Sequence, residues 1–224
     1  MSNDIATKVP QATVTNGRLL KRVVVLVIWS GIILLVLRFL ARDAFKYFGF
    51  DEATFGRFWI HRFWLIAHIV GGMSALLLGP FQFWSGLRRR ALRFHRWMGR
   101  VYVLGIVLAA GSAFRLSFSI PPSDGGWVVG LSLFALAAVW LTSAAMAIRS
   151  IRNGRVETHK EWMIRSYVLT LAFVNFRWWM DLPFISTLGT PTERLTAVVW
   201  AGWTLPLFIT EVVLQWKRTA RQVR

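Results

Sequence analysis

Six times along this chain, apolar residues run for about twenty positions with few charges, the length needed to cross a hydrocarbon core of roughly 30 Å. A segment in hydrocarbon must satisfy its own backbone, so it is a helix or part of a closed barrel. Barrel strands alternate over about ten residues, and these runs do not alternate. The class is therefore all-α: a polytopic helical bundle with six transmembrane helices. Composition agrees, since 55% of the 224 residues are hydrophobic, more than a water-soluble chain of this length can hide.

The pattern predicts spans near 22–40, 62–84, 101–120, 127–148, 162–179 and 195–216. Residues 1–21 read as a polar cytoplasmic tail and 217–224 as a basic one, flanking a transmembrane domain over 22–216. The first run has a basic front edge like a signal peptide. It lacks a small-residue cleavage site, and Arg38 and Arg42 follow it, so an uncleaved helix is expected. Residues 41–60 combine mixed charge with many aromatics, which suits an interfacial segment. Within the second run, Gly79-Pro80 predicts a kink whose freed carbonyl a neighbouring helix must satisfy. Gly105, Ala109 and Ala113 recur every four residues, so one side of the third helix should approach a neighbour closely.

The net charge of +17 would point to nucleic acid in a soluble chain. Its distribution points elsewhere. With six spans, both termini fall on one side, and 19 of the 27 Lys and Arg lie there. The positive-inside rule makes that side cytoplasmic. The expected location is a bacterial inner membrane, with anionic headgroups as partners on the cytoplasmic side and no nucleic acid. The absence of cysteine excludes disulfides, Fe–S clusters, thiolate zinc, covalent c-type haem and a cysteine nucleophile. No phosphate-binding Gly loop, His-Glu-x-x-His or Gly-x-Ser-x-Gly motif is present.

One segment occurs twice. His95-Arg96-Trp97-Met98-Gly99-Arg100-Val101-Tyr102 returns as His159-Lys160-Glu161-Trp162-Met163-Ile164-Arg165-Ser166-Tyr167, with one extra residue after the histidine. Each copy reads as a histidine in a basic loop followed by an apolar helix, and each helix closes on Phe-Arg, at Arg115 and Arg177. Helices two and three, and four and five, then form two parallel units over 60–180, a four-helix core. Equivalent side chains of such repeats lie around a shared axis, which brings His95 and His159 together.

Two readings of that pair stay open. One is axial ligation of a single b-type haem between helices three and five, with Arg100 and Arg165 holding propionates. The other is interfacial histidines that bond phosphates or loop carbonyls. His68 lies inside the second run, seven residues after His61 and on the same face. With Arg115 and Arg177 it forms a candidate substrate-binding set, a quinone among its partners. The bland alternatives are a histidine bonded to a neighbouring helix and arginines that snorkel to the interface. Arg177 and Asp181 are spaced to pair at i,i+4, and Glu211 has Arg100 or Arg165 as partner.

Several residues carry a family likeness: His68 with Gly72, Leu78-Gly79-Pro80 with Gln82-Phe83, His95-Arg96 with Gly99-Arg100-Val101-Tyr102, Trp140, and His159 with Trp162-Met163 and Arg165-Ser166-Tyr167. In these the chain resembles the bacterial membrane-protein family called domain of unknown function 2306, over about 60–180, with the first and last helices outside. The likeness implies a membrane protein and no particular activity. The chain is also similar, more distantly, to the ascorbate-reducible di-haem cytochromes b, whose histidines pair between alternate helices. That likeness implies at most one haem here, because His68 lacks a partner on helix four.

The sequence thus supports a haem-dependent electron carrier or, as the alternative, a non-redox membrane protein. The latter is a small-solute or lipid-binding transporter, or an assembly subunit with a membrane-protein partner. Whether it is an enzyme stays open.

Overall fold

The computed structural model describes residues 12–222, and among these the chain is helical with no strand. Residues 1–11 of the expected first tail, and 223–224 of the last, lie outside the described residues. The remainder of the first tail is helix, since α1 is Ala12–Phe39. After it come α2 (Glu52–Phe55), α3 (Arg62–Phe83), α4 (Ser85–Arg90), α5 (Leu92–Ser117), α6 (Gly126–Arg152), α7 (Val156–Thr170), α8 (Ala172–Met180) and α9 (Pro191–Gln222). Asp51 caps α2 by accepting the Thr54 N–H at 2.8 Å.

Five helical stretches are long and apolar enough to cross a membrane, those containing α1, α3, α5, α6 and α9. The expected span at 162–179 is divided instead: α7 and α8 meet at Leu171. Neither Gly nor Pro causes the break. At the break the Thr170 hydroxyl donates back to the Ser166 carbonyl at 2.9 Å, a bond that α6 also makes at Thr142 and Ser143 without dividing. The third expected helix starts earlier than its basic residues suggested. Arg93, His95, Arg96 and Arg100 all belong to α5, and His159 belongs to α7, so neither histidine is in a loop. Each is the fourth residue of its helix.

Helices α3, α5, α6 and α7 pack as a closed ring, with α9 outside against α6, α7 and α8, and α1 outside against α8. The tightest seam is α3 on α5. A Cβ on Gly71 would meet the Gly105 carbonyl oxygen at 2.5 Å and the Ala109 nitrogen at 2.8 Å. The four-residue repeat of small side chains therefore does what it predicts. Tyr102, Ile106, Ala109 and Ala110 are fully buried, and Trp140, Ala144 and Tyr167 close the core around them. The α1 face bearing Leu26, Val27 and Leu34 is exposed, as befits a helix whose solvent is hydrocarbon.

Two prolines sit inside helices, Pro80 in α3 and Pro206 in α9. Each lacks an N–H and so frees the carbonyl four residues earlier, at Leu76 and Gly202. The Tyr167 hydroxyl donates to the Leu76 oxygen at 3.4 Å, and Asn175 Nδ2 donates to the Gly202 oxygen at 3.4 Å. Both donors come from the divided segment, one on each side of Leu171. The freed carbonyl expected at Pro80 is thus satisfied by a neighbouring helix. Gly79 makes room for the donor, because a Cβ there would lie 2.2 Å from the Tyr167 ring.

Candidate functional site

The charged loops and the divided helix define two ends of the bundle. At one, the ends of α1, α3's first half, the α5–α6 turn and α8 enclose a cavity of about 400 Å³. At the other, α4 and the starts of α5 and α7 gather arginines. These are the cavity end and the basic end.

The cavity is mostly apolar, with Leu65, Met73, Leu133 and Phe173 among its walls. His68 lines it. Its Nδ1 lies 2.9 Å from the Ala109 carbonyl oxygen, and its ring meets Phe173 edge-on at 5.7 Å. A carbonyl only accepts, so Nδ1 carries the proton and Nε2 keeps its lone pair. Trp140 and Thr170 also line the cavity. Trp140 Nε1 donates to Thr170 Oγ1 at 3.1 Å, and the Tyr102 hydroxyl lies 2.8 Å from Ser166 Oγ and 3.3 Å from Thr170 Oγ1. This buried network ties α5, α6 and α7 together where α7 breaks. Irregular backbone at such depth is tolerated where it lines a cavity.

Ion pairs ring the mouth. Arg57 pairs with Asp124, and Arg177 Nε lies 3.6 Å from Asp43 Oδ1; all four residues line the cavity. Arg57 stands on the aromatic segment between α1 and α3, where Phe50, Phe55 and Trp59 meet one another edge-on or tilted. Asp181 pairs with Arg38, and Arg42 lies 3.6 Å away. The Arg38 hydrogen bond, more than the surrounding charge, holds the Asp181 carboxyl below its ordinary value.

The expected substrate set is therefore split. His68 and Arg177 line the cavity, but Arg115 does not; it is exposed and donates to Ser119 at 3.3 Å, one turn along its own helix end. The expected Arg177–Asp181 pair is replaced, because Asp181 faces Arg38 of α1 and Arg177 faces Asp43. His61 lies in the turn before α3, away from the cavity walls. Asp43, Arg57, Asp124, Trp140 and Thr170 were not singled out for this site from the sequence. Asp43, Arg57 and Asp124 share only polarity near the ends of apolar runs, and Trp140 and Thr170 lie mid-run, so no common signal selects them.

At the basic end, α5 and α7 run parallel on opposite corners of the ring. Tyr102 meets Ser166 across it, and His95 and His159 lie seven residues before those two. His95 is accordingly within electrostatic reach of His159, and of Arg88 and Arg96. The extra residue in the second copy produces this register. It offsets His159 so that the heptad contact falls on Ser166 rather than Tyr167. Buried Met98 and Met163 lie between the histidine layer and the Tyr102 layer, separating the two ends. His159 Nδ1 lies 2.9 Å from the Ala147 carbonyl oxygen, so it too is the protonated nitrogen.

The arginines expected to hold propionates behave otherwise. Arg165 is 8% exposed and clasps Glu211, with Nη2 at 2.8 Å and its guanidinium 4.5 Å over the Trp162 ring. That choice between two expected partners for Glu211 is settled, and it commits Arg165. Arg100 is exposed. Among the described residues, no three His, Asp or Glu side chains cluster as metal ligands.

The family model described as predicted membrane protein (DUF2306) matches residues 65–214, and the chain belongs to that family. The match leaves α1 outside, as expected, but takes in most of α9, against the expectation that the last helix lies beyond it. No curated protein and no solved structure matches the chain, so the likeness to di-haem cytochromes b gains no support.

Proposed function

We propose that this membrane protein holds one small apolar alcohol or phenol, such as a quinol, in the cavity beside His68. The carrying observation is the cavity itself: about 400 Å³, apolar, and inside the size range of small-molecule sites. Its chemistry narrows the ligand. His68 Nε2 has a lone pair and no proton, whereas Thr170 Oγ1 is already engaged by the Ser166 carbonyl, Trp140 and Tyr102. His68 Nε2 is an acceptor, which favours a ligand that donates. The two arginines that line the cavity, Arg57 and Arg177, are each matched by an aspartate, which favours a neutral one.

This reading gives a site to the small-solute alternative. It uses six spans, with α7 and α8 together as the fifth and α3–α5 and α6–α7 as parallel units. Both termini then lie on the basic, cytoplasmic side of a bacterial inner membrane, as the arginine distribution favours. No catalytic residue is assigned.

Thermal unfolding of the detergent-purified chain tests it, with a short-chain quinol and its di-O-methyl ether as probes. The quinol should raise Tm and the ether should not; a ligand at 100 times its Kd adds about 2.7 kcal/mol. Gly72 lines the cavity, and a Cβ there meets nothing within 4 Å. Gly72→Leu should therefore fold, fill the cavity and abolish the quinol shift. An equal shift in Gly72→Leu, or none in the natural chain, overturns the reading.

A further inference from the structure

Among the described residues three buried side-chain nitrogens lack partners, Gln82 Nε2, His95 Nδ1 and Arg165 Nη1; the third belongs to a guanidinium already bonded to Glu211, and the first two bond nothing else. Gln82 of α3 is 7% exposed, and its Nε2 bonds nothing. Its amide lies against Gly99 of α5, where a Cβ would meet Oε1 at 3.2 Å. His95, one turn before Gly99 on the same helix, has its Nδ1 buried and equally unpartnered. A buried polar atom left unpaired costs about 1–3 kcal/mol, so two on the packed faces of α3 and α5, one turn apart along α5, mark a place where something else completes the bonding.

Charge decides what that is. An amide nitrogen only donates, so the missing group accepts. Residues 85–100 carry six arginines and no acid, and Arg88 and Arg96 are within electrostatic reach of His95. The acids near His159, Glu157 and Glu161, pair with Lys160 and Arg218. A cation would meet net repulsion here; an anion with several acceptor oxygens meets the Gln82 amide donor, an imidazole able to donate from Nδ1, and a positive field.

We propose that Gln82, His95, Arg88 and Arg96 form a phosphate-binding site at the basic end of the bundle. The phosphate belongs either to an anionic lipid headgroup or to a free phosphorylated solute. The site is independent of the cavity at the other end, from which Met98 and Met163 separate it.

The full chain, purified in phosphate-free detergent, is compared with Gln82→Leu and Arg88→Gln. Tm is read in chloride, in inorganic phosphate, and in nanodiscs of phosphatidylcholine with and without phosphatidylglycerol. The natural chain should gain Tm with phosphate, with phosphatidylglycerol, or with both. A gain in phosphate alone assigns a free solute, and a gain in phosphatidylglycerol alone assigns a headgroup. Gln82→Leu should match or exceed the natural chain in chloride, because it deletes an unpaired donor, and should gain nothing from the anion. Arg88→Gln should fold normally and weaken anion binding about tenfold. No gain under any condition, or an equal loss in Gln82→Leu with and without anion, overturns the proposal. So does a Soret band that disappears in His95→Ala, which would put haem iron at these histidines instead.

Discussion

The two copies of the His…Tyr segment share residue types and differ in what they build. In the first, α5 runs unbroken for 26 residues, and Tyr102, fully buried, reaches across the core to Ser166 and Thr170. In the second, α7 stops after 15 residues, and Tyr167 turns the other way, onto Gly79 and the carbonyl freed by Pro80. The copies are therefore not interchangeable halves. One inserted residue keeps the histidines within electrostatic reach of each other while sending the tyrosines to different tasks. Register, more than motif, decides the partner.

The most drastic test of that register uses the absence of native cysteine. His95→Cys/His159→Cys should be joined within one chain by a short bifunctional thiol reagent, whereas Arg100→Cys/His159→Cys should not. Deleting Lys160 should abolish the first cross-link, and its survival would break the comparison. Next in size is Gly79→Ala, which drives a methyl group into the Tyr167 ring. It should cost about 3 kcal/mol by overpacking, and Tyr167→Ala in the same chain should recover part of it. Calorimetry in detergent reads both; no recovery means that the ring is not what Gly79 accommodates.

A smaller contrast separates the tyrosines. Tyr102→Phe strips a bonded hydroxyl from a fully buried network and should cost about 1–3 kcal/mol. Tyr167→Phe loses one long bond and should cost about 0.5–1.5 kcal/mol. The reverse order would contradict the division of labour. Smallest is the tether beyond α8, which the first copy lacks. Asp181 has its folded pKa depressed, chiefly by the bond from Arg38. Its contribution is present above the ordinary aspartate value and disappears as pH falls through the depressed one. Arg38→Gln should flatten the acid limb of the Tm–pH curve slightly; an unchanged limb argues against the tether.

Much of this was legible beforehand, for physical reasons. Apolar length marks spans, small residues at four-residue spacing mark the α3–α5 seam, and Pro80 demands an outside donor. Glu211 needed a cation, and Arg165 is one of the two foreseen. Other features were hidden because they depend on tertiary placement. Six arginines in residues 85–100 resemble a loop, yet basic residues form helices well, and α4 and α5 share them. The break at Leu171 has no Gly or Pro to announce it. Arg177 had a partner at the right helical spacing, but α1 brought Arg38 to Asp181 and left Arg177 with Asp43. The cavity belongs to no single segment, so no single segment could disclose it.

The two proline-freed carbonyls bear on how the protein is made. Leu76 and Gly202 sit on helices that enter the bilayer at different times, and each has an oxygen that its own helix cannot satisfy. In hydrocarbon each bare oxygen costs several kcal/mol. Both donors, Tyr167 and Asn175, arrive on the divided segment between those helices. During synthesis α3 must wait for that segment, whereas α9 emerges to find its donor already in place. A chain truncated before residue 156 would therefore carry an unsatisfied carbonyl in the membrane, a defect that quality-control proteases of the bilayer could use to tell an unfinished chain from a finished one.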